Sequence, residues 1–165
     1  MASFTPKVES NAGDPERARQ ELRAALRELG LQPTEDADGN IRVEFQTGSY
    51  DPMPLRFWCP EGMGVVAIEG EVLLLEGEPA DEMDAAINYL NVALDTCRFY
   101  LSAEVVCVRA DMLPSVGTKM WIHPKELRHV LTDLCTQRAM FSEALGRVQG
   151  GRPWTAVKDA LRAYR

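Results

Sequence analysis

The chain is expected to fold as an α+β domain, a mostly antiparallel sheet packed against helices, and two observations predict it. Segments with apolar residues at 3.6-residue spacing are separated by clusters of short runs with period-two alternation. Those strand runs come first as a group of three and then as a pair, rather than singly between helices as in βαβ units. The expected order is helix, three strands, helix, two strands, long helix.

Residues 1–13 lack periodicity and read as a flexible N-terminus. Asp14-Pro15-Glu16 then supplies an N-cap, a proline at the first helical position and an acid in the first turn. Ala18, Leu22, Ala25, Leu26 and Leu29 line one face of this helix, and Gly30 ends it. Asp38-Gly39-Asn40 is a turn, after which Ile41, Val43 and Phe45 alternate with polar residues as a strand with one wet face. Gly48 to Pro54 reads as a loop, Leu55 to Cys59 as a second strand, and Val65 to Glu76 as a third, bent or broken at Gly70.

A second helix is expected from about Ala80 to Asp95. Cys97–Leu101 and Glu104–Ala110 form a hairpin around a Ser-Ala turn. Pro114 to Gly117 is a loop, and Pro124 opens the longest helix, to about Val148. Its seam of Leu127, Leu131, Leu134, Phe141, Leu145 and Val148 is interrupted by Arg138. Residues 14–149 thus make a single domain. Gly150-Gly151 links it to a basic amphipathic helix within 150–165, where Trp154, Val157, Leu161 and Tyr164 share a face. That helix is too short to stand alone in water and must dock on something.

The 165 residues, 45% apolar and 26% charged, suit one globular domain with a real core. Cys59, Cys97, Cys107 and Cys135 are widely spaced in apolar runs without a C-x-x-C pattern, so they read as reduced core thiols. No signal-peptide core or membrane-spanning run is visible, so a cytoplasmic protein without membrane contact is expected. The net charge of −7 is concentrated between Glu35 and Asp84, which disfavours direct binding of this half to a phosphate backbone.

Few residues suggest chemistry. Glu61-Gly62-Met63-Gly64-Val65-Val66-Ala67 contains G-x-G-x-x-A, but it continues as strand instead of opening a helix, so it reads as a glycine-rich turn and no cofactor is expected. His123 and His129 are six residues apart and lack the spacing of a helical metal pair, so no metal is expected. No serine sits in a G-x-S-x-G elbow, so no catalytic residue is assigned and the chain is expected not to be an enzyme. Glu76, Glu78, Asp81, Glu82 and Asp84 are best read as a solvated approach to the second helix, complementing its dipole.

The second helix, which contains the stretch AINYLNVAL (Ala86 to Leu94), places Met83, Ile87, Leu90 and Leu94 in an apolar stripe. Asp84, Asn88, Asn91 and Asp95 form a narrow polar seam opposite. The two amides either face solvent or bond backbone at a strand edge or a subunit contact.

The helix with Asn88 and Asn91, the hairpin CRFYLSAEVVCVRADML that follows it and the long helix HPKELRHVLTDLCTQRAMFSEAL together resemble the bacterial YbjN family, over roughly Asp14 to Val148. The resemblance implies the fold of type III secretion chaperones and a non-enzymatic, often dimeric protein that binds other proteins. Two features depart from it, the Ser102-Ala103 turn and the basic tail after Gly150.

The leading expectation is a homodimeric adaptor or chaperone-like regulator. Its acidic centre favours a client with a basic surface, and basic cytosolic proteins are typically those handling nucleic acids, which points to DNA metabolism or stress response. Trp154, Val157, Leu161, Tyr164, Asn88 and Asn91 are the candidate partner-binding or assembly residues. A second reading is a small-ligand sensor or enzyme using the acids before the second helix, which requires them to converge in a pocket. A third is weak single-stranded nucleic-acid binding through the tail, with Arg152, Lys158 and Arg162 around Trp154 and Tyr164.

Overall fold

The computed structural model describes residues 15–60, 65–113 and 122–162, the last three in backbone only. Along the chain lie α1 (Pro15–Glu28), β1 (Thr34–Glu35), β2 (Ile41–Phe45), β3 (Met53–Trp58), β4 (Val66–Leu74), α2 (Met83–Ala93), β5 (Arg98–Ser102), β6 (Val105–Met112), α3 (Pro124–Gln149) and α4 (Trp154–Arg162). The fold is α+β. The described strands form one sheet in the order β1-β2-β3-β4-β6-β5, antiparallel at every pairing.

In α1, Ala18, Leu22, Ala25 and Leu26 are buried as the periodicity predicts. Gly30 adopts φ 80°, which lets Leu31 N–H reach back to the Leu26 carbonyl and close the helix end. Residues 1–14, 61–64, 114–121 and 163–165 fall outside the described residues. That places the expected flexible terminus, the Asp14 cap, Gly62 to Gly64, the Pro114–Gly117 loop and Tyr164 outside the description. Val66 and Ala67 are strand, as the glycine-rich-turn reading requires.

Strand β1 is an addition to the expected order. Its two residues are exposed and carry no alternation, so periodicity had nothing to register. The Asp36 carboxylate holds it in place, accepting N–H from Asp38 (3.1 Å) and Asn40 (2.9 Å), the Asn40 amide (3.2 Å) and Arg42 Nε (2.9 Å). Desolvation pushes the Asp36 pKa up, but the Asn40, Arg42 and Asp38 hydrogen bonds outweigh it and bring it from 3.8 to about 2. A depressed carboxylate pKa contributes stability above its unfolded value and loses it as pH falls through the folded one. Asp36→Asn should therefore weaken the protein clearly at pH 5 and much less at pH 2, as read from urea denaturation at the two pH values.

Two further details differ from expectation. Strand β3 begins at Met53, inside the stretch read as loop, because the β3–β4 ladder starts only at Leu55↔Gly70 and Pro54 has a strand neighbour on one side alone. Strand β4 runs unbroken through Gly70, and its irregularity falls between Glu71 and Leu73. Glycine is needed at position 70 for space, since a Cβ there would lie 2.0 Å from Met53 Cε and 3.0 Å from Leu55 Cδ2.

All helices lie on one face of the sheet. Helix α3 crosses β4 and β6, α2 lies beside β5, and α1 and α4 pack on α3. Leu127, Leu131, Leu134, Phe141, Leu145 and Val148 are buried along α3, and Phe141 meets Phe99 edge-on at 5.9 Å. Arg138 leaves that seam to donate to the Pro52 carbonyl (3.0 Å). His123 caps the start of α3, its Nδ1 accepting from Lys125 N–H at 3.2 Å, and His129 is exposed.

The hairpin turn is Ala103-Glu104 between Ser102 and Val105, and Ala103 takes φ 52°. A non-glycine residue there is uncommon. The turn is braced by Leu75 N–H donating to the Glu104 carbonyl at 2.7 Å.

Candidate functional site

Strand alternation sends Met53, Leu55 and Phe57 into the core and Pro54, Arg56 and Trp58 to the opposite face, which no described helix covers. The register aligns this outer face into transverse rows. One row reads Arg42, Arg56, Glu69, Arg109, Arg98 across β2, β3, β4, β6 and β5. The next reads Glu44, Pro54, Glu71, Cys107, Tyr100. On the other side of the arginine row lie Trp58, Ala67 and Asp111.

Trp58 is half-buried and lies beside Ala67, which is fully covered. The Arg56 and Arg109 guanidiniums sit 4.9 and 5.0 Å from its ring. Arg56 also bonds Glu69 at 2.8 Å, and Arg109 bonds Asp111 at 2.8 Å. Cys107, on the same face, is nearly covered. Burial, with Glu69 and Glu71 adding to it, pushes its thiol up to about 11, so it stays protonated and inert.

None of Trp58, Arg56 or Arg109 is among the site residues expected from the sequence. The available signal was Trp58 itself, a large aromatic at an outward position of a strand whose inward positions were already apolar. The arginine row was invisible, because its members come from five strands whose order along the sheet had to be known first.

The predicted residues separate. Asn88 is exposed on α2. Asn91 is half-buried, and its side chain bonds the β5 backbone twice: Nδ2 donates to the Phe99 carbonyl (2.8 Å) and Oδ1 accepts Phe99 N–H (2.7 Å). Of the two readings of the amide pair, solvent holds for Asn88 and the strand edge for Asn91. The Asn91 amide imitates a neighbouring strand at the outermost β-strand and closes part of an edge that would otherwise template pairing. Arg98 Nη1 fixes the same junction by donating to the Leu94 (2.6 Å) and Cys97 (3.1 Å) carbonyls at the end of α2.

Trp154 and Val157 are buried, so α4 docks on its own chain. The Trp154 ring meets Tyr89 of α2 at 5.4 Å, Lys158 Nζ sits 4.8 Å from the same Tyr89 ring, and Trp154 N–H donates to the Glu82 carboxylate. Gln149 ties the end of α3 to the segment before α2, its Nε2 donating to the Glu78 carbonyl (3.0 Å) and its Oε1 accepting Ala80 N–H (3.0 Å). The Leu161 position lies in α4, with its side chain outside the description. With Trp154 buried, one of the two aromatics on which nucleic-acid stacking by the tail rested is already taken; the other, Tyr164, lies outside the described residues.

Glu76, Glu78, Asp81, Glu82 and Asp84 are all exposed. They do not converge as the ligand-sensor or enzyme reading required. Among the described residues, no three His, Cys, Asp or Glu side chains come together to hold a metal ion, and no helix is long and apolar enough to cross a membrane. The four cysteines are unpaired and buried.

The fold and these surfaces define a two-layer α+β protein with helices on one side of its sheet and a mixed aromatic and charged face on the other. No protein-family model and no curated protein sequence matches the chain.

Proposed function

We propose that the chain is a non-enzymatic, cytoplasmic protein-docking module, an adaptor or chaperone-like regulator of the YbjN type that works as a homodimer on a basic client. The observation that carries this reading is the outer sheet face. Trp58 and Tyr100 among Arg42, Arg56 and Arg109 are the residue types that dominate binding energy at protein interfaces. The helix–hairpin–long helix order is the part of the architecture in keeping with the YbjN resemblance.

The exposed acids before α2 favour a basic client, for which a nucleic-acid-handling protein in DNA metabolism or stress response is a fitting class. The test is affinity capture with the whole chain, with Glu76, Glu78, Asp81 and Asp84 neutralised together to Gln or Asn in a parallel sample. Glu82 is left intact because it holds α4. Basic proteins retained by the wild type, released by salt and lost from the neutralised variant support the proposal. Retention that ignores both salt and neutralisation contradicts it.

A further inference from the structure

We propose that a cleft on the helical side of the sheet, between α3 and the loop joining β2 to β3, binds a small zwitterion of the α-amino-acid type with a short apolar side chain. This goes beyond the docking reading and uses none of the outer-face residues. The cleft measures about 310 Å³, the low end for small-molecule sites.

Its walls follow from the sequence. Helix α3 carries arginine at position 138 of a seam whose neighbouring members, Leu134 and Phe141, are buried, and it lines the cleft there with the small side chains of Cys135, Ala139 and Ser142. The β3–β4 ladder ends at Leu55↔Gly70, so Val72, which also lines the cleft, lies beyond the last β3 pair. The loop forming the other wall has a fixed shape. Gly48 takes φ 59°, Gln46 Nε2 donates to the Tyr50 carbonyl (2.9 Å), and Arg138 Nη1 pins the loop to α3 through the Pro52 carbonyl (3.0 Å). A site ordered in advance spends less of its binding energy on ordering.

The charges select the ligand. Arg138 and Asp51 both line the cleft, yet among the described residues neither makes an ion pair, with the other or with a third group. The Pro52 carbonyl takes one guanidinium donor and leaves the rest for a ligand. The Tyr50 and Ser142 hydroxyls at the cleft are likewise without a side-chain hydrogen bond to the described residues. A carboxylate alone gains Arg138 but is repelled by Asp51, and an amine alone meets the reverse. A molecule with both charges suits both, its carboxylate accepting from Arg138 and its ammonium donating to Asp51. Val72 and Ala139 leave an apolar seat for a short side chain.

Thermal unfolding and isothermal titration of the full chain test this. The probes are L-alanine, L-valine, isovalerate (valine without its ammonium) and isobutylamine (valine without its carboxylate). L-Valine is expected to raise Tm and to bind with a Kd of about 1 mM or tighter, and its two halves at least about tenfold more weakly. Arg138→Leu and Asp51→Asn should each weaken L-valine binding by at least about tenfold. Leucine at 138 continues the α3 seam, and Asp51 is exposed, so Asp51→Asn serves if Arg138→Leu does not fold. No response to L-alanine or L-valine at about 10 mM overturns the inference. So does isovalerate or isobutylamine binding as tightly as L-valine, or L-valine binding that either folded variant leaves unchanged. None of these outcomes touches client capture, so the docking reading stands or falls separately.

Discussion

Trp154→Ala lowers stability by about 3 kcal/mol, the low end for an aromatic removed from a packed site. The indole is 6% exposed, meets the Tyr89 ring at 5.4 Å, and heads a helix of nine residues. A helix that short does not hold its shape without tertiary contacts, so losing its anchor releases α4 as a unit. Urea denaturation should show the loss, and hydrogen exchange should show protection disappearing from α4 first while the sheet keeps it. Truncation after Gly150 should produce the same loss and uncover Tyr89 on α2. An unchanged urea midpoint in both variants would mean that α4 rests on the domain without stabilising it.

Asn91→Ala and Asn88→Ala should separate, although the two residues look equivalent in the sequence. At position 91 the change removes two hydrogen bonds and leaves Phe99 N–H and C=O without partners, at a cost of about 2 kcal/mol. It also opens the β5 edge, so aggregation on storage should rise. At position 88 the side chain is exposed, and alanine is the better helix former, so stability should stay level or rise by about 0.5 kcal/mol. Thermal unfolding with light scattering reads both effects. Equal losses in the two variants would contradict the edge role assigned to Asn91.

The contrast between these two residues shows what could be read from the sequence. Helical periodicity placed both amides on one side of α2. Whether an amide on it meets water or a strand depends on where β5 passes, which is a tertiary fact. The described helices and β2, whose buried and exposed residues strictly alternate, were legible because burial imposes period 3.6 or 2 on the residues themselves. Strand β1 was not, because two exposed residues held by the Asp36 carboxylate have no period. The role of Gly70 was misread for a related reason. Glycine in a strand signals either a bend or a close approach, and only the position of Met53 Cε decides between them. The outer face was the least legible part, since its rows exist only after the strand order β2-β3-β4-β6-β5 brings distant residues together.

If Trp58 serves docking more than folding, a single variant, Trp58→Ala, measured for both urea stability and retention of basic proteins in affinity capture, separates the two roles. A stability loss of about 1 kcal/mol or less is expected, as for a side chain outside the core, together with a clear loss of retained protein. A loss of about 3 kcal/mol, the signature of a core tryptophan, with capture unchanged would contradict it.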